Sequence, residues 1–341
     1  MSLSEIEISL DAVIVAVTDD SPRLLTVDGP SGMPALPSGL LAHDRTLEVA
    51  LRRWVQEQTG LDVGYVEQLY TFGDRIRGTV GDSRNSGATD RGSTGTSSDE
   101  PDVDAGVRHL SIAYLALVRE GRPSAGASWQ DFYDFFPWED HRNGRPAMID
   151  EKIMPALRRF VAEGGANAAN RAERVQIGFG GPRAPFDGVR VLERYELLFE
   201  VGLLFESDPR PGPGQGSGAE LRAGPDAASD KLASGSMYLD HRRIAATALG
   251  RLRGKLTYRP VVFELLPARF TLLQLQQVVE ALAGITLHKQ NFRRLVEGAG
   301  LVEGTGELAR TGGRPAELFR FRREVVGERP RPGVGTPWVR T

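Results

Sequence analysis

Residues 270–297 read FTLLQLQQVVEALAGITLHKQNFRRLVE, and the phasing of this stretch decides the C-terminal fold. Thr271 is placed to cap a helix in which Leu272, Leu275, Val278, Val279 and Leu282 form one apolar stripe. Gly284 terminates that helix, Ile285-Thr286 turns the chain, and Thr286 is placed to cap a second helix over 287–297. Two helices joined by a short turn containing Gly make a helix-turn-helix. In the second helix Phe292, Leu295 and Val296 sit at i, i+3 and i+4 and are expected to face inward. Lys289, Gln290 and Arg293 then project outward, with His288 and Arg294 on the flanks and no acid before Glu297. Such a face suits a DNA major groove, where cations meet phosphates and Gln can read adenine edges.

The flanking residues extend this pattern. Leu301-Val302-Glu303 and Leu318-Phe319-Arg320-Phe321-Arg322-Arg323 predict two strands, joined by a Gly-rich hairpin that carries Arg310 and Arg314. A hairpin bearing Arg beside a recognition helix is a wing, whose arginines reach phosphates or a minor groove. Arg320, Arg322 and Arg323 are expected to extend the basic surface. Upstream, residues 237–254 predict a helix, and 261–266 form a short apolar segment ended by Pro267.

Charge agrees with this division. The 341 residues carry 42 Lys+Arg and 45 Asp+Glu, a net charge of −3. Residues 1–210 are net −11 and residues 211–341 net +8, with 17 basic and 8 acidic residues in 241–331 alone. An acidic body joined to a basic nucleic-acid-binding module explains the split. The length suggests about two domains. With no cysteine, disulfides, Cys-based zinc sites and thiol catalysis are excluded. No apolar run approaches the roughly 20 residues of a membrane span, and Met1–Glu7 lacks the features of a signal peptide. A cytoplasmic protein with no membrane partner is expected.

In the N-terminal half, residues 6–17 predict a strand buried on both faces and 23–27 a returning strand. Leu47, Ala50, Leu51, Trp54 and Val55 mark an amphipathic helix over 46–58, ended by Gly60. Residues 63–72 and 110–118 read as strands. Between them 78–106 is rich in Gly, Ser, Thr and Asp and is expected to be a disordered insertion. Trp129 to Trp138 is an aromatic cluster, 150–163 a helix, 164–172 a Gly/Ala/Asn-rich link, and 192–205 an apolar segment of helical spacing. Residues 207–235 are expected to form a second disordered loop. The expected organisation is therefore 1–165 for the first domain, 166–236 for a linker helix and loop, 237–326 for the winged helix, and 327–341 for a flexible tail.

A known motif can be laid on residues 36–61. Leu36-Pro37-Ser38-Gly39 resembles the entry to a Nudix box, and Arg53, Val55, Glu57, Gly60 and Leu61 fall on its pattern. Three of its glutamate positions hold Arg45, Trp54 and Gln58 instead. Nudix hydrolysis uses several carboxylates to hold divalent ions that polarise a pyrophosphate and activate water. Glu57 alone cannot build that cage, so no catalytic or metal-binding residue is expected.

Both halves together resemble the Nudix-related transcriptional regulators, in particular the branch that represses de novo NAD biosynthesis. The resemblance runs through Glu67–Asp74, Ser111–Val118 and Tyr258-Arg259-Pro260. It is strongest in Phe270-Thr271-Leu272, Asn291-Phe292-Arg293-Arg294 and Gly313–Phe321. It implies an α+β chain: an N-terminal Nudix-like α/β/α sandwich followed by a C-terminal winged helix-turn-helix domain. It also implies a homodimer on a palindromic double-stranded DNA operator, answering to ADP-ribose, NAD or ATP, with no cofactor required. DNA contacts are expected from His288, Lys289, Gln290, Arg293, Arg294, Arg310 and Arg314. Ligand contacts are expected from Arg53, Glu57, Tyr70, Phe72 and Asp74, where Arg meets phosphate and an aromatic stacks on adenine. Two alternatives stay open: a working Nudix hydrolase of ADP-ribose or a dinucleotide with an appended binding domain, and an RNA-binding regulator.

Overall fold

The computed structural model describes residues 6–41, 46–73, 108–181, 185–205, 231–309, 315–328 and 333–334. The expected insertion at 78–106, most of the loop at 207–235 and most of the tail lie outside the described residues. So do Arg45, Asp74, Arg310 and Arg314.

The N-terminal domain is built on β1 (Ile6–Thr18). It pairs antiparallel with β2 (Ser21–Asp28) and parallel with β6 (Arg108–Leu117), in a register that sets Val13 opposite Leu115. Among the described residues the sheet runs β3 (Pro34–Ala35), β2, β1, β6, β5 (Tyr65–Phe72). To these are added β4 (Ser38–Leu40) beside β1 and β7 (Ala127–Asp131) beside β2. Alternate residues of β1 point to opposite faces. Leu10, Ala12, Ile14 and Ala16 meet Ala50, Leu51 and Val55 of α1 (Leu47–Thr59) on one face. Val13 and Val15 face the opposite layer, where the aromatic cluster buries Phe132, Phe135, Phe136 and Trp138. This cluster spans β7, α2 (Phe132–Phe135) and a 3-10 turn (Pro137–Glu139). The domain is thus an α/β/α sandwich of the expected kind.

A π turn (Ile149–Ile153) and α3 (Met154–Ala162) follow. The expected link at 164–172 is instead a 3-10 turn (Gly165–Asn167) running into α4 (Ala168–Phe179). Its alanines favour the helix, and Val175 and Phe179, four residues apart, bury one edge of it. Next come α5 (Val191–Glu200) and α6 (His241–Leu256). The latter begins four residues later than its sequence pattern predicts. Leu239 has φ 46°, and Tyr238 N–H donates to the Pro34 carbonyl, so the chain enters in a non-helical path.

Part of the expected loop at 207–235 is packed. Leu232 is fully buried, with its N–H on the Leu203 carbonyl, and Lys231 donates to the carbonyl of Gly202. One piece of the expected flexible tail is likewise held. Gly333 and Val334 are buried, and Val334 N–H donates to the Leu256 carbonyl. In both places a buried aliphatic side chain and satisfied backbone groups offset the ordering entropy that the surrounding composition suggested would prevail.

The C-terminal module contains α7 (Leu272–Ala283), α8 (Lys289–Gly298), the wing strands β8 (Val302–Ala309) and β9 (Ala316–Phe321), and a last turn α9 (Val325–Glu328). Thr271 caps α7 reciprocally: its hydroxyl accepts from Gln274 N–H at 3.1 Å, and its own N–H donates to Gln274 Oε1 at 2.8 Å. Gly284 closes the helix in the left-handed region, with φ 69°. The second helix starts at Lys289 with His288 at its N-cap rather than Thr286. Leu295, expected inside, is 40% exposed. The contact with α7 is narrow, and Phe292 and Val296, one turn apart, fill it. Phe270 makes an isolated antiparallel bridge to Phe319 at the edge of the wing, while Phe263 stacks on Phe321 at 4.3 Å.

Candidate functional site

The helix-turn-helix presents one polar face. Lys289, Gln290, Arg293 and Arg294 of α8 and the capping His288 are all exposed, while Phe292 and Val296 anchor the helix beneath them. The first-turn N–H groups of α8 have no partners inside the helix, so the helix dipole adds a favourable term for a phosphate at its N-terminus. Asn291 accepts from Arg294 at 3.2 Å. Much of the module's other positive charge is used internally. Arg242 and Arg253 are buried, Arg269 pairs with Glu307 at 2.5 Å, Arg320 pairs with Glu303 at 2.6 Å, and Arg322 pairs with Glu328. Arg320 and Arg322 therefore contribute less to the basic surface than the sequence suggested. Among the described residues, α8 keeps three exposed cations, Lys289, Arg293 and Arg294, on one short helix.

The sheet separates the expected ligand residues into two groups. Arg53 and Glu57 lie on the exposed side of α1 and pair with each other at 2.6 Å. Phe72 is buried on the opposite face of the sheet with Leu69, Val13 and Leu115. A register shift between Gln68 and Thr71 interrupts the β5 alternation, leaving Tyr70 65% exposed. Tyr70 and Phe72 still meet edge to face at 5.6 Å. Arg53, Glu57 and Tyr70 are accessible to a ligand; Phe72 is a packing residue.

The damaged box has a clear geometry. Trp54 lies directly against Gly39: a Cβ on that glycine would come within 1.8 Å of the indole nitrogen. The indole N–H is buried without a hydrogen-bond partner. Gln58 donates to the Ser38 carbonyl at 2.9 Å, holding the loop against α1. An indole and an amide thus occupy two of the positions where the Nudix pattern has carboxylates. Among the described residues no group of three or more His, Cys, Asp or Glu could hold a metal ion.

Between the two domains lies an ionic centre that the sequence reading missed. Glu139, 1% exposed, accepts from Arg194 at 2.5 and 2.8 Å and from Arg253 at 2.5 Å. Burial pushes its carboxyl upward, but the two guanidinium groups outweigh burial and hold it below the ordinary carboxylate value. Arg194 also donates to the carbonyls of Gly178 and Asp187, and Arg253 to those of Gly188, Leu282 and Glu139. Nearby, burial depresses His141, and it also depresses His241 against the pull of Asp11 and Asp240. In both, burial favours the neutral ring, so the unfolded chain binds more protons below the ordinary histidine value of about 6.5. Stability is therefore full above that value and is lost as pH falls beneath it. Urea unfolding at pH 7.5 and 5.5 is expected to show a lower midpoint at pH 5.5, and His241→Asn to reduce the difference.

The comparisons with known proteins fall on this geometry. Residues 262–321, which hold α7, α8 and both wing strands, match the family described as the NrtR DNA-binding winged helix domain. The chain resembles the Nudix-related transcriptional regulators. The ADPR responsive transcriptional repressor NtrR of Acinetobacter baylyi is 39% identical over 85 residues, which is 25% of this chain. The match spans 34% of that repressor, about a third of its length. The crystal structure of Shewanella oneidensis NrtR complexed with a 27mer DNA superposes with a TM-score of 0.51 at 19% identity. It covers 94% of this chain and 95% of that one. A second crystal structure of Shewanella oneidensis NrtR gives 0.50 at 20% identity, over 93% of this chain and 95% of that one. The fold shared with NrtR therefore includes both the Nudix-like sandwich and the winged helix.

Proposed function

We propose that this chain is a ligand-responsive, DNA-binding transcriptional repressor of NAD metabolism genes, working in the cytoplasm. The observation that carries this reading is the exposed basic face of α8 within a segment matching the NrtR winged helix. A homodimer would set two such helices on the two halves of a palindromic operator. Arg310 and Arg314 of the wing would add contacts to phosphate or minor groove. The domain limits follow the same division: sensor to about residue 165, connecting segment to 236, winged helix from 237 to 326. Among ADP-ribose, NAD and ATP, ADP-ribose is favoured as effector because the repressor similar over 85 residues is described as responsive to it. Arg53, Glu57, Tyr70 and Asp74 are the residues offered to it. DNase I footprinting on the promoters of the neighbouring NAD genes tests the reading; no protection at moderate salt, against random DNA as reference, defeats it.

The same reading makes the Nudix-like domain a sensor without hydrolysis. Trp54, Gln58 and Arg45 leave Glu57 as the one remaining glutamate of the box pattern, too few to hold the ions this chemistry needs. Incubation with ADP-ribose and Mg²⁺ or Mn²⁺ is expected to give no AMP. Steady turnover that disappears in Glu57→Gln would establish the hydrolase instead.

A further inference from the structure

We infer that the sensor domain is coupled to the recognition helix at a joint of directional bonds on the end of α7 and the turn before α8, made by Tyr133, His141, Arg142 and, from α6, Arg253, with the other end of α6 engaging the loop before the Nudix-like box through His241. This rests on the repressor reading above and specifies how its two domains communicate.

The two ends of α6 touch the two functional elements. At its start, His241 Nδ1 accepts from Leu36 N–H at 2.9 Å, at the entry to the loop that leads to Gly39. The opposite ring nitrogen faces Asp11 Oδ1 of β1 at 3.6 Å. Arg243, two residues on, lies over the ring of Phe72 at 5.8 Å. Twelve residues after His241, about 18 Å along the helix axis, Arg253 reaches the winged helix. Its Nε donates to the Leu282 carbonyl at 3.1 Å, and Tyr133 of the sensor domain donates to the Ala281 carbonyl at 2.7 Å. These are carbonyls that the end of α7 leaves without partners inside the helix.

The turn between α7 and α8 is held in the same way. Gly284 accepts from His141 N–H at 2.7 Å, and Thr286 donates to the Arg142 carbonyl at 2.8 Å. A Cβ at position 284 would lie 2.4 Å from the Glu139 carbonyl and 2.6 Å from Arg253. Mere packing of two domains would need apolar contact only. Here directional bonds from the sensor and from α6 fix the last turn of α7 and the turn that sets the axis of α8. A nucleotide that shifts the loop at 36–39 displaces one end of a stiff helix, and the other end holds the last turn of α7, which leads into the turn before the recognition helix. By linkage, an effector that favours one arrangement changes operator affinity, and the operator changes effector affinity by the same factor.

The test uses the full chain and reads the ratio of operator dissociation constants with and without saturating ADP-ribose. Tyr133→Phe and Thr286→Val each remove one joint hydroxyl while keeping side-chain volume. Both are expected to bring the ratio at least threefold closer to one than in the wild type. ADP-ribose affinity without DNA, by calorimetry, is expected to stay within twofold, and Thr286→Ser to restore the wild-type ratio. Thr286 is exposed, so Thr286→Val decides the matter if Tyr133→Phe fails to fold. A wild-type ratio in folded variants overturns the coupling role of the joint. A wild-type protein that binds no operator defeats the repressor reading itself; one that binds operator but ignores ADP-ribose defeats the effector and the coupling together.

Discussion

Replacing Lys289, Gln290 and Arg293 together by Ala is expected to abolish specific operator binding without unfolding the protein. All three are exposed on α8, away from the Phe292 and Val296 anchors. Exposed substitutions of this kind change stability by no more than about 0.5 kcal/mol. A base-edge contact is worth about 1–3 kcal/mol of discrimination, so the loss of three such side chains is comparable to the gap of about 4–10 kcal/mol between specific and non-specific binding. Lost phosphate contacts also make affinity less sensitive to salt, by about one unit of slope for each. Fluorescence anisotropy against operator and scrambled duplexes at several salt concentrations reads both effects. An unchanged affinity ratio between the two duplexes would remove α8 from the recognition surface.

Glu139→Gln is expected to cost about 3–5 kcal/mol, the range for breaking a buried ion pair from one side. The amide nearly preserves the shape, yet it removes the carboxylate that Arg194 and Arg253, both almost wholly buried, share. Whole domains have only about 5–15 kcal/mol of stability, so the variant is expected to unfold at much lower urea or to populate open forms. The sign with pH follows from the carboxyl being held low. The contribution of Glu139 is complete above the ordinary carboxylate value of about 4.3 and is lost as pH falls through its native value. A loss below about 1 kcal/mol in urea denaturation at pH 7 would mean that the carboxylate does not hold the two arginines together.

Local chemistry was the legible part of this chain. Thr271, Gly60 and Gly284 mark helix ends by backbone rules that act over three or four residues, and each does so in the structure. The alternation in β1 carried the two faces of the sheet. Phe292 and Val296 were in phase; Leu295 was not, because periodicity gives the direction of a stripe but not its width. The link at 164–172 misled because glycine at 164 and 165 hid the alanines that begin α4.

The candidate site was legible where it is carried by one helix, as on α8. It was not where it is assembled by the fold. Glu139, Arg194 and Arg253 are separated by 55 residues or more and each sits among residues that read as ordinary helix or turn. The one available signal was charge inside apolar segments: Arg194 within VLERYELLFE and Arg253 within an α6 that buries most of its length. Phe72 illustrates the opposite limit. Its strand was evident, but the shift at Gln68 that decides which face it takes depends on pairing with β6.

The indole of Trp54 resting on Gly39 also ties two positions to each other. Glu at position 54 would empty the volume of an indole above a glycine that leaves room for it, and would set a carboxylate where an apolar ring now packs. A side chain at position 39 with the indole in place would collide with it. Either change alone lowers stability, so the two positions are constrained to change as a pair.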